Sequence, residues 1–440
     1  MRLFVLLTSL FFFSNSHAVE RKLYVGKDST EATMTFEAEV ELKAMAKPTK
    51  AAAKDQVDLQ ITHLFGPMGF AKYPAVPKGD EEIEITSIKE KSAKLWAISY
   101  SYSGTIVLKN GPTTKYNITL PVNPKTIYKM STLANGHNPC TDEHYQSEGD
   151  FWYFWNPEQE GCKLEEGKDY VIVEAGIKRI SNTKTTYPEY ERLADKDGNV
   201  KISLLMGMDD PKLGKDPNKS ADINAANFRD IKASLKEMGF KNLPPLEKEE
   251  IDQVVKAEIS VYPHVEQFTK EVTNGDQVTN LTVEIFFGPS GIDEDSTAFH
   301  YYFKNALEKS SIVMYDGHSG LGGHLDLQSI QETEGFTLRP NKSRYQIYFF
   351  NSCTSYTYYN SMFFDRKKTD EDEKGTKNLD IMTNGLATYF SVMHDTNLSL
   401  VKAVDAFFAG KAKLSYQTIA KQIDSGNLFG INGDEDNPKK

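Results

Sequence analysis

Residues 311–320, SIVMYDGHSG, and residues 345–353, YQIYFFNSC, decide the fold. Each is a short, nearly continuous apolar run that ends on a polar turn able to do chemistry. No polar alternation marks a solvent face, so 311–315 and 345–350 read as buried strands, the pattern of a parallel sheet. Neighbouring parallel strands would set His318 and Cys353 at one carboxyl-terminal edge, where open α/β sheets keep their ligand sites.

The pairing has a chemical rationale. A free thiol, with a pKa of about 8.5, is mostly protonated at neutral pH, so a nearby imidazole has to help form the thiolate. A helix over residues 354–364 (TSYTYYNSMFF) would favour the thiolate further through its amino-terminal dipole. Backbone N–H groups of Cys353 and of the turn at His318, Ser319 and Gly320 offer a cradle for an oxyanion. Gly317, Gly320, Gly322 and Gly323 would let substrate approach that backbone closely.

An apolar strand followed by Tyr-x-Gly-His-x-Gly (315–320), then an apolar strand ending in Asn-Ser-Cys-x-Ser (351–355), resembles the caspase-like cysteine peptidases. That group contains caspases, metacaspases, legumains, clostripain and gingipains. The resemblance spans about residues 200–440. It implies an α/β domain with a mostly parallel sheet flanked by helices, and a peptide or protein substrate. It also implies His318 as the dyad histidine, Cys353 as the nucleophile, and the N–H groups of Ser319 and Cys353 as the oxyanion hole. The strand at 200–206 and the helix FRDIKASLKEMGF (228–240) look like the opening unit of such a domain. The chain departs from the group in having Ser319, not glycine, directly after the histidine. Asn351 stands where members that cut after basic residues often carry Asp.

The rest of the chain frames this domain. Its 440 residues, 39% hydrophobic and 11% aromatic, suffice for two or three domains, and its net charge of −11 argues against a nucleic-acid partner. Arg2, the apolar run 3–13 and Ser16-His17-Ala18 read as a secretory signal peptide cut after Ala18, which makes the protein exported, periplasmic or secreted. No later run is long and apolar enough to span a membrane. In an oxidising compartment Cys140 and Cys162 are expected to pair, stabilising by roughly 3 kcal/mol, and Cys353 is left as a reactive thiol.

Residues 19–130 read as a β-rich, sandwich-like domain with strands near 33–42, 82–88, 95–108 and 116–122, and with 43–54 as a linker. Residues 131–198 read as a β-rich disulfide-containing module, and 199–440 as the α/β domain. Asp142, His144 and Asp150 near Trp152 and Trp155 suggest a metal or sugar site, but the simpler reading is an aromatic-stapled loop. No metal or cofactor is assigned. The hydrophilic run 366–377 (RKKTDEDEKGTK) has no apolar anchor and reads as an exposed connection open to proteolytic cutting.

Two rival readings remain. A serine esterase would use Ser319 as nucleophile with His394 and Asp395 or Asp380, although Leu321 stands where the Gly-x-Ser-x-Gly elbow needs glycine. A non-catalytic exported binding or adhesion protein would keep the same scaffold without using the dyad.

Overall fold

Five parallel strands carry the carboxyl-terminal half: β1 (Asn199–Gly207), β2 (Gln277–Gly288), β3 (Ile312–Asp316), β4 (Gln346–Asn351) and β5 (Leu379–Thr383). The computed structural model describes residues 24–180, 185–291, 294–423 and 425–434, so the expected signal peptide lies outside the described residues. The strands lie in the order β2-β1-β3-β4-β5, each parallel to its neighbour. Every residue of β3, β4 and β5 is buried, as continuous apolar runs require when both sheet faces are covered. Helices α1 (Ile223–Glu237) and α3 (Phe390–Phe408) cover one face, where Phe228, Ile231, Leu398 and Val404 pack on Ile202, Leu204 and Met314. Helix α2 (Thr297–Lys309) covers the other through Phe299, Phe303 and Leu307. The Asp222 side chain caps α1 by accepting from the N–H groups of Asn224 and Ala225, and Gly239 (φ 86°) stops it.

Antiparallel strands finish both edges of this nine-stranded mixed sheet. His264–Asn274 pairs with β2 through a hairpin at Asn274-Gly275. At the far edge Gly430–Asn432 pairs with β5, and Tyr24–Gly26 pairs with Gly430–Asn432. The chain therefore enters through the carboxyl-terminal sheet before building its β-rich region.

That region is one six-stranded antiparallel sheet, not a sandwich. Ser29–Lys43 and Leu95–Lys109 form its centre. The missing second layer is supplied by helix Lys50–Thr62, which begins inside the stretch expected to be a linker. Thr49 caps it, and Ala53, Val57 and Ile61 recur every fourth residue to pack on the sheet. Ala-rich sequence has strong helix propensity, and Pro48 just ahead of it masked that signal. Strand Tyr170–Arg179 joins the same sheet beside Lys115–Pro121, so the disulfide segment is an excursion from it. Cys140 and Cys162 are bonded and Cys353 is free. Among the described residues no helix is long and apolar enough to cross a membrane.

Residues 368–374 are mostly exposed, as expected of a hydrophilic connection, but the 366–377 stretch is anchored at its ends. Arg366 and Lys367 close the helix Ser361–Lys367. The Lys367 side-chain nitrogen is buried and donates to the carbonyls of Asn341 (2.6 Å) and Arg344 (2.9 Å). Gly375 (φ 71°) packs where a Cβ would meet the Phe364 carbonyl oxygen at 1.9 Å. A buried lysine anchors this segment, which a search for apolar anchors cannot detect.

Candidate active site

The strand register assembles the site. Asp316 ends β3 directly opposite Asn351 at the end of β4. His318 and Cys353 each lie two residues further on, at equivalent places on one sheet edge. The turn bearing the histidine is fixed from below by two buried tyrosines. Tyr315 donates to the His318 carbonyl (2.6 Å), and Tyr359 donates to the Ser319 carbonyl (2.9 Å). Gly317 lies close over the Tyr315 hydroxyl, where a Cβ would approach to 2.8 Å. His324 packs beneath the turn, within 2.2 Å of where a Gly320 Cβ would be.

Among the described residues only four non-glycine residues have positive φ, and two of them flank the candidate pair: Leu321 (53°) and Thr354 (50°). Each left-handed residue costs roughly 1–2 kcal/mol, and such strain concentrates at functional sites. Thr354 breaks the expected helix after Cys353. The chain instead makes a four-residue turn, Ser355–Tyr358, and then the separate helix Ser361–Lys367. The run of β-branched and aromatic residues there has weak helix propensity.

The dipole argument for the thiolate therefore loses most of its force, and burial acts the other way, raising the pKa of the Cys353 thiol. The sulfur donates to the Thr388 carbonyl at 3.6 Å. The His318 ring instead bonds Asp209 through Nε2 (3.0 Å) and meets Phe390 edge-on, with ring centroids 5.1 Å apart. Among the described residues no hydrogen bond joins the His318 ring to the Cys353 sulfur. The Ser319 backbone N–H also has no acceptor among the described residues, and the Cys353 N–H lies against its own sulfur.

Beneath the edge lies a buried polar network. Asn351 donates to Thr396 (2.6 Å) and Asn397 (3.1 Å) and accepts from Asn384 (2.9 Å). Asn397 also donates to the Asp316 carboxyl at 2.5 Å. Both ends of the Asn351 amide are thus used inside the fold, so this position offers nothing to substrate. Burial pushes the Asp316 carboxyl up to about 7.

The other sequence candidates do not converge here. His394 pairs with adjacent Asp395 (3.5 Å). Asp380, at the start of β5, is bonded by Tyr345 and Tyr416 at the opposite sheet edge. Asp142 and His144 bond each other at 2.6 Å on the surface. Asp150 precedes a turn whose neighbour Trp155 is fully buried against His63. Among the described residues no cluster of histidine, cysteine or carboxylate side chains could hold a metal ion. Asp209 was missed, although Asp209-Asp210 follows β1 at the same carboxyl edge.

An apolar cavity of about 350 Å³ opens beside the cysteine. Its walls come from Phe65, Gly69 and Phe70 of the β-rich region, from Tyr153 and Phe154 of the disulfide segment, and from Thr354, Gly385, Leu386, Ala387 and Tyr389 of the α/β half. Tyr153 bonds the Thr354 hydroxyl at 2.5 Å, tying the disulfide segment to the residue after the cysteine. Comparison of the chain with protein-family models, with curated proteins and with solved structures gave no match.

Proposed function

We propose that the protein is an exported cysteine endopeptidase with a caspase-like arrangement. The observation that carries this reading is the β3–β4 register, which puts an imidazole and an otherwise unpaired thiol at matching places on one parallel-sheet edge. The disulfide is consistent with an oxidising compartment.

In the proposed cycle the His318 Nε2–H stays on Asp209, and Nδ1 takes the Cys353 proton as substrate displaces the sulfur from Thr388. The thiolate adds to the scissile carbonyl, and the oxyanion is held by the Ser319 and Cys353 N–H groups. Collapse breaks the C–N bond, the imidazolium gives its proton to the leaving amine, and a thioester remains. Water then attacks the thioester with Nδ1 as base. The C–S bond breaks, and the acid product and free thiol are released.

Ser319 is a poorer nucleophile here, because it is buried and His394 is paired with Asp395. Non-catalytic binding has one observation in its favour, the raised thiol bonded to a carbonyl rather than to the ring. The test is hydrolysis of a broad peptide library together with labelling by peptidyl electrophiles. Cys353→Ala and His318→Ala should each lower turnover by at least about a hundredfold, and Ser319→Ala should retain a measurable fraction. Loss of activity in Ser319→Ala alone would select the esterase. No hydrolysis and no modification of Cys353 would select the binding protein.

A further inference from the structure

We infer that the cavity beside Cys353 receives the substrate side chain next to the scissile carbonyl, and that this side chain is large and apolar. The inference rests on the peptidase reading and adds to it a substrate class and a role for the β-rich region.

Three observations support it. First, the cavity lies next to the candidate nucleophile: Thr354, the residue after it, lines the cavity, and so do Ala387 and Tyr389, on either side of the Thr388 whose carbonyl holds the sulfur. Second, no Asp, Glu, Lys, Arg or His lines it. A charged side chain would give up its water there and find no partner, which is strongly unfavourable. Its volume of about 350 Å³ lies within the usual range for small-ligand pockets. Phe70 and Tyr389, both on its lining, are 50% and 72% exposed, leaving aromatic surface in water at the mouth.

The third observation is Gly69. A Cβ built on it meets nothing within 4 Å, whereas one on Gly66 would strike the Trp155 carbonyl oxygen at 2.0 Å. Gly66 is required by packing. Gly69 is not, and its missing side chain keeps the wall open. The β-rich region therefore supplies a wall of the pocket that would select the substrate.

The experiment uses the full chain and peptides that differ only in the residue donating the scissile carbonyl: Phe, Leu, Ala, Arg or Asp. Phe and Leu peptides should be cut at least about tenfold faster, by kcat/KM, than Arg or Asp peptides. Gly69→Leu should lower the Phe-to-Ala ratio of kcat/KM by about tenfold. Ala387→Asp, which places a carboxylate on the opposite wall, should raise the Arg-to-Phe ratio. It serves as an independent test should Gly69→Leu fail to fold. Wild-type preference for Arg or Asp, or unchanged ratios in a folded variant, would overturn the pocket assignment while leaving the peptidase reading intact. If no peptide is cut and no electrophile modifies Cys353, the peptidase reading itself fails and the inference falls with it.

Discussion

Cys353 and Asp316 have the same problem at different depths, since each is an acid placed where water cannot stabilise its anion. The thiol is raised by burial and donates to a carbonyl, which favours its protonated form, and in the proposed cycle substrate would bring the imidazole into use. Asp316 is fully buried at about 7, with Asn397 donating to one oxygen. Its pKa when unfolded is about 3.9, so between about pH 4 and 7 the folded state holds a proton that the unfolded chain has lost. The stability this group contributes is complete below about pH 4 and is lost as pH rises through about 7. The slope is at most about 1.4 kcal/mol per pH unit. Asp316→Asn keeps the shape and removes the titration. Denaturant melts from pH 4 to 8 should show the variant gaining on wild type as pH rises, and parallel curves would contradict the assignment.

Among the elements, β3 and β4 were legible because uninterrupted apolar runs are the pattern of buried parallel strands. The edge they share was legible for the same reason. The surroundings of that edge were not. Tyr315 and Tyr359 act through hydroxyls that bond carbonyls within the fold, and nothing in their spacing separates that use from simple packing. Asp209 reaches the histidine across 109 residues, a distance local patterns do not span. Residues 368–374 are mostly exposed as read, but the anchor before them went unseen because it is a lysine. Uncharged, its amine has two N–H groups for the two carbonyls it meets, and burial lowers its pKa to about 7. Lys367→Met leaves both carbonyls without a donor and should cost about 1–3 kcal/mol. Limited trypsinolysis read by mass spectrometry should then show faster cutting at Lys368 than in wild type; equal rates would mean that the lysine does not hold the segment.

At the scale of the molecule, the two sheets are joined by a buried carboxylate. Glu31 accepts from Lys78 (2.7 Å), from Tyr356 (2.8 Å), three residues past the cysteine, and from Asn432 (3.0 Å) on the added edge strand. Glu31→Ala strips all three donors of their acceptor and should destabilise by about 3–5 kcal/mol, the range for breaking a buried charge pair. Thermal unfolding should fall and turnover should fall with it. A variant that melts like wild type would mean that the contact is incidental. The boundary read at residue 130 does not separate two units, because strand Tyr170–Arg179 returns to the first sheet after the disulfide excursion. The edge strand also bears on biogenesis. Ser29 bonds Phe429, and Glu31 bonds Asn432, contacts separated by 400 and 401 residues. At a translation rate of roughly 5–20 residues per second, the first segment waits about 20–80 s for its partner to be made. Until then the sheet lacks its outer two strands and the pocket lacks the Gly426-Asn427 wall. A nascent chain therefore cannot complete this edge of the sheet until the strand at Gly430–Asn432 has left the ribosome.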